Sequence, residues 1–112
     1  VSGQLEGIAY AAFFDLRDGQ VDRYRASLSP AHRDAMADPA AQMAVMERGQ
    51  AWARRRVDLM AVVDEGLTHV TFVAADEAML TGRAPALPGL RIKATFERDG
   101  DRYGITAIAE LK

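Results

Sequence analysis

Side chains able to move a proton, hold a metal or bind an anion are few in this sequence, and most stand apart from one another. His32 and His69 are the two histidines. A metal centre gathers several His, Cys or carboxylate ligands, usually at short fixed spacings, and neither histidine has a second His or a matched carboxylate at such a spacing. Cysteine is absent, which excludes disulfides, thiolate metal sites and a cysteine nucleophile. His32 follows Ser29-Pro30 beside Arg33 and Asp34, in what reads as a first helical turn, where a capping or surface role accounts for it. His69 alternates with Val70 and is expected on the opposite sheet face, beside Val62 and between Asp58 and Thr71, as a solvated or interface histidine.

Asp15, Asp18 and Asp22 cluster around a break between helices. Carboxylates there are explained by capping and the helix dipole more simply than by a calcium site. Arg54, Arg55 and Arg56, with Arg48 upstream, form the one basic run. Entering a strand, three successive side chains alternate faces, so at most two reinforce one patch. A solvated strand end is the plain reading, and an anionic ligand or acidic partner the other. Gly-rich phosphate loops, a G-x-S-x-G elbow and paired-carboxylate motifs are missing. No catalytic residue, metal or cofactor follows from these patterns.

The elements that must position such residues are easier to read. The 112 residues, 49% hydrophobic and 27% charged, suit one globular domain over 1–112 with a single core. The net charge of −2 supplies no accumulated Lys and Arg for a phosphate backbone, so nucleic acid is not an expected partner. No apolar run reaches membrane-spanning length and no signal-peptide pattern is present; a soluble domain without membrane insertion is expected. The chain begins at Val1 rather than Met, which leaves room for an upstream segment and leaves the compartment open.

Leu5, Ile8, Ala9, Ala12, Phe13 and Leu16 recur at three-and-four spacing, predicting a first helix. Val21, Tyr24 and Leu28 fall on the opposite side if that helix is continued, so the chain must turn at Asp18-Gly19. Ser29-Pro30 and Asp38-Pro39 each place a capping residue before a proline and start further helical pieces, the second running to about Arg48. After Trp52 the period becomes two. With Glu65-Gly66 as a two-residue loop, Ala61 falls opposite Val70, Leu59 opposite Phe72 and Val57 opposite Ala74. With Asp99-Gly100 as a second loop, Phe96 meets Tyr103, Ala94 meets Ile105, Ile92 meets Ala107 and Glu97 faces Arg102. The helix-facing side then holds Val57, Leu59, Ala61, Val63, Val70, Phe72, Ala74, Ile92, Ala94, Phe96, Tyr103, Ile105, Ala107, Ala109 and Leu111. The connection from Asp76 to Gly89, with Gly82 and prolines at 85 and 88, is long for a compact domain. Helices before strands predict an α+β fold, the helices covering one face of a curled antiparallel sheet made of two hairpins.

This order, with a helical hairpin broken at Asp-Gly, the "SPAHRDAM" stretch and a closing "DGDRYGITAIAEL", resembles the nuclear transport factor 2-like superfamily over nearly the whole chain. The resemblance implies a cystatin-like cone, a curled sheet closed by helices around a pocket. Such domains include ketosteroid isomerases, polyketide cyclases, dehydratases and non-enzymatic binding or assembly domains. Isomerase-like members keep a tyrosine on the first helix and acidic residues on pocket-facing strands. Here the matching helix position is Ala12, Tyr10 lies about 160° around the helix, and the helix-facing side has no carboxylate or imidazole. The expectation is therefore a non-catalytic binding module whose apolar pocket, lined by Tyr10, Phe14, Tyr24, Trp52, Phe72 and Tyr103, takes a small apolar molecule. One alternative is an isomerase, cyclase or dehydratase of the same fold. Another is an assembly domain, a homodimer formed through Met60, Val62, Val73 and Ile108 on the outer sheet face.

Overall fold

The computed structural model describes residues 2–83 and 90–111. Four helices come first: α1 (Ser2–Arg17), α2 (Val21–Ala26), α3 (Pro30–Ala35) and α4 (Pro39–Arg55). They are followed by β1 (Asp58–Glu65), β2 (His69–Ala75), a short α5 (Glu77–Leu80), β3 (Leu90–Asp99) and β4 (Arg102–Glu110). The strands form one open antiparallel sheet in the order β1-β2-β3-β4, so the class is α+β, helices then two hairpins laid edge to edge. The prolines at 85 and 88 lie outside the described residues.

Local chemistry explains the helix boundaries. Leu5, Ala9, Ala12, Phe13 and Leu16 of α1 are buried, the stripe expected from spacing. Gly19 ends the helix at φ 76°, with its N–H donating to Leu16 O and that of Gln20 to Asp15 O, the paired bonds of a Schellman cap. Ser29 and Asp38 stand at the N-caps of α3 and α4 with proline following, and Asp38 accepts from the Ala40 N–H. The continuation of α4 beyond Arg48 to Arg55 corrects the expected boundary. Residues such as Gln50, Ala51, Ala53 and Arg54 are good helix formers, and the helix stops only where Arg56 turns left-handed at φ 54°. Arg54 and Arg55 thus occupy a last helical turn, where cations suit the dipole, rather than entering a strand.

Both hairpins depart from the expected register. In the first, Leu59 pairs with Ala74 and Val62 with Phe72, with irregularities between Leu59 and Ala61 and between Val62 and Asp64. The loop is Gly66 to Thr68, with Gly66 N–H donating to His69 O. In the second, Phe96 pairs with Ile105, Ala94 with Ile108 and Asp99 with Arg102, with a shift at Thr95/Phe96. Gly100 at φ 65° opens a two-residue Gly100-Asp101 loop, the glycine-first pattern of a type II′ turn. Neither Leu59–Phe72 nor Phe96–Tyr103 is a cross-strand pair, and Arg102 stands opposite Asp99 rather than Glu97.

Each bulge adds one residue to one strand, so every side chain beyond it changes face. Val57, Leu59, Val70, Phe72, Ala74, Ile92, Ala94, Phe96 and Ile105 are buried as expected, whereas Ala61, Val63, Ala107, Ala109 and Leu111 are exposed. The same parity change corrects two residues expected on the outer face: Val62 packs against the core and Ile108 is fully buried. One core results, in which the helices and one sheet face share a single cluster.

Candidate functional site

Between α1 and the sheet the space is filled by the protein's own side chains. The rings of Phe13 and Trp52 lie 5.0 Å apart, and Tyr10 is 5.0 Å from Phe14 and 5.9 Å from Phe72. Trp52 Nε1 donates to Glu110 Oε1 at 2.8 Å, which satisfies its one donor inside the core. Phe72 and Trp52 are therefore core residues, and Phe14 is half-buried against Tyr10 and Phe13. Tyr10 sits at the surface beside a shallow depression with Gly3, Glu6, Gly7 and Ala11. Tyr103 lies at a separate indentation with Ser27, Pro30 and Arg33. Of the six aromatic residues expected to line one pocket, Tyr10, Phe14 and Phe72 meet as packed rings, while Trp52 packs on Phe13 and Tyr103 lies apart.

The sixth, Tyr24, lies in a concavity of about 270 Å³ enclosed by α2, α3, α4 and β4. Its floor is apolar and buried: Leu28, Met36, Val45, Ile108 and the Tyr24 ring. His32, Ala35, Ala107 and Ala109 stand exposed at its mouth, and Arg48 and Thr106 are half-buried in its wall. Tyr24 lies on α2 and Leu28 two residues beyond its end, where the chain locks onto the sheet. Ile105 N–H donates to Ser27 O at 2.8 Å and Ser29 N–H to Ile105 O at 3.0 Å, so Leu28 bridges the free edge of β4. Gly104 permits this approach, because a Cβ there would collide with the Ser29 backbone. Beyond that bridge the bulge at Thr106, whose hydroxyl lies 2.9 Å from that of Thr95, turns Ile108 inward to become part of the floor. On α4, Val45 and Arg48 fall one turn apart on the side facing β4.

The electrostatics of this concavity are one-sided. Arg48 donates an Nη1 hydrogen to the Ile108 carbonyl, and among the described residues no carboxylate comes within ion-pair distance of it. The described lining includes no Asp or Glu. Burial pushes the Tyr24 phenol above its ordinary pKa, with the Arg48 charge pulling the other way, so its hydroxyl stays protonated at neutral pH. His32 Nδ1 and Ser29 Oγ share a hydrogen bond at 2.8 Å, leaving Nε2 uncommitted.

Some charged groups elsewhere pair with one another. Arg55 meets Glu110 at 2.8 Å and Asp76 at 3.4 Å, and Arg56 meets Glu77 at 3.7 Å, so these two arginines of the run have counter-charges at the junction of α4, α5 and β4. His69 Nε2 pairs with Asp64 at 2.8 Å rather than lying by Asp58. Asp15 is half-buried, and desolvation raises its carboxyl pKa, opposed by Arg23 and reinforced by Asp18. Among the described residues no three His, Asp or Glu side chains converge as metal ligands.

Sequence reasoning found Tyr24 and overlooked Leu28, Met36, Val45, Arg48 and Thr106 as its companions. The signal available was partial: "SPAHRDAM" supplies His32, Ala35 and Met36, but the opposite wall comes from β4. Comparison with known proteins returns no matching family model, no matching curated protein and no matching solved structure.

Proposed function

We propose that this domain is a small-molecule-binding module whose ligand occupies the concavity between α2, α3, α4 and β4. The observation that carries the reading is a buried apolar floor beneath a few polar side chains, Tyr24, His32, Arg48 and Thr106, which is the make-up of a ligand site. The resemblance to nuclear transport factor 2-like domains supports the same reading, since those domains hold ligands between helices and a sheet. The site differs from the one expected: it lies at the β4 edge, not over the centre of the sheet.

The test is an amide-shift titration with eight-carbon probes, one neutral (octanamide) and one charged (octanoate). Binding is expected to move the amide resonances of Leu28, Ala107, Ile108 and Ala109 together. Ala35→Trp, which places a ring across the mouth from an exposed position, is expected to abolish those shifts without unfolding the domain. If neither probe moves these amides, or if Ala35→Trp leaves the shifts intact, the concavity is not a binding site.

A further inference from the structure

Resting on that reading, we infer that the ligand is an amphipathic acid: an apolar body ending in a single carboxylate, with the carboxylate held by Arg48. The guanidinium of Arg48 carries five N–H donors in a planar fork, and one is engaged by the Ile108 carbonyl. Arg48 lines the concavity, and none of the described carboxylates lies within ion-pair distance of it. A half-buried cation without a counter-charge is unfavourable in the free protein, and a bound anion removes that penalty.

Each polar side chain of the described lining can donate, His32 in the tautomer whose Nδ1 accepts from Ser29. Tyr24 and Thr106 offer hydroxyls and His32 its Nε2, while no acidic side chain among the described lining would repel an anion. This local balance is opposite in sign to the whole chain, whose net charge is −2. The positive character therefore belongs to the concavity and is not a general property of the surface.

The head group is identified by the donor set. A guanidinium matches the two oxygens of a carboxylate with two parallel hydrogen bonds. A phosphate, with more charge and three acceptor oxygens, is usually met by several cations or by a helix N-terminus with glycine-rich backbone. The described lining has one arginine, no lysine and no such loop. The body is identified by the floor, where Leu28, Met36, Val45 and Ile108 offer aliphatic surface and Met36 adapts to shape. At a water's share of about 30 Å³, the 270 Å³ present accommodates a molecule of roughly ten non-hydrogen atoms, the size of an eight-carbon acid.

The experiment compares octanoate with octanamide, equal in length and different in charge, by amide-shift titration of the wild type at pH 7. Octanoate is expected to bind at least about tenfold more tightly than octanamide. In Arg48→Gln, which keeps a donor for the Ile108 carbonyl, that ratio is expected to fall to about one. Arg48→Lys, which keeps the charge but not the fork, is expected to fall between the two. Equal affinity of the wild type for both probes would overturn the anion inference and leave the pocket standing. A preference for octanoate that survives in Arg48→Gln would overturn the assignment to Arg48. Failure of both probes to bind would overturn the pocket reading and this inference together. The wild-type comparison decides the question of charge even if a variant does not fold.

Discussion

Asp76 shows how much a single carboxylate can hold in place. It caps α5 by accepting from the Met79 N–H at 2.9 Å and also meets Arg55 of α4 at 3.4 Å. The Met79 hydrogen bond is the main reason its carboxyl titrates below the ordinary range, with burial opposing and Arg55 assisting. A pKa lower in the folded than in the unfolded chain means stabilisation that is complete above the unfolded value, about 3.9, and lost as pH falls through the folded one. Asp76→Ala is therefore expected to cost about 0.5–2 kcal/mol at pH 7, the range for losing an N-cap. The deficit should shrink in urea titrations run below pH 4, as the wild-type carboxyl protonates. Asp76 was not legible as a cap, because the stretch from Asp76 to Gly89 reads as one long connection and the helix Glu77–Leu80 has a single turn, whereas Tyr24 and Leu28 were legible as a stripe at four-residue spacing. Arg48 was not legible as a site residue, because its partner Ile108 lies 60 positions away and nothing local to Arg48 signals the strand that faces it.

Among the elements, what was legible and what was not follows from how strongly the residues punctuate the chain. Asp18-Gly19, Ser29-Pro30 and Asp38-Pro39 mark helix ends because glycine alone takes the left-handed conformation at little cost and proline fixes φ and lacks an N–H. The bulges in β1 and β4 left no such mark. Met60-Ala61-Val62-Val63 and Ala107-Ile108-Ala109 are apolar at every position, so the alternation reads equally well in either parity, and only packing against the helices selects one. The contact between α1 and α4 gives a direct test of packing against propensity. Gly49 is buried, and a Cβ built on it would fall on the Leu16 carbonyl of α1, so the two helix backbones approach closely there. Helix propensity alone predicts that Gly49→Ala stabilises α4 by about 1 kcal/mol. The contact predicts the reverse, a loss of about 1–3 kcal/mol as the helices are forced apart. Gly7→Ala, on an exposed face of α1 with nothing within 4 Å of the added carbon, supplies the control and is expected to stabilise by about 0.5–1 kcal/mol. Thermal midpoints of the two variants moving in opposite directions would establish the packing argument; two increases would refute it.

For the molecule as a whole, the order of helices before a four-stranded meander was legible, and the two hairpins do lie edge to edge through β2 and β3. Even with the hairpins adjacent, the expected outer patch of Met60, Val62, Val73 and Ile108 does not form, because Val62 and Ile108 belong to the core side. Met60 remains exposed beside a β1 bulge, and Val73 is half-buried with Ala61 and Arg91 as its cross-strand partners. Single apolar residues among charged ones are ordinary surface. The two sheet edges offer little more. Bulges bend β1 away from the straight geometry that another strand would need, and Ser27–Ser29 and Arg48 meet the free edge of β4 at Ile105 and Ile108. Neither the outer face nor the edges therefore favour self-association, and light scattering of the wild type is expected to give the mass of one chain. Val73→Glu, which places a charge at the centre of the outer face, is expected to leave that mass unchanged. A dimer in the wild type that Val73→Glu dissociates would show instead that Met60 and Val73 suffice for an interface without Val62 and Ile108.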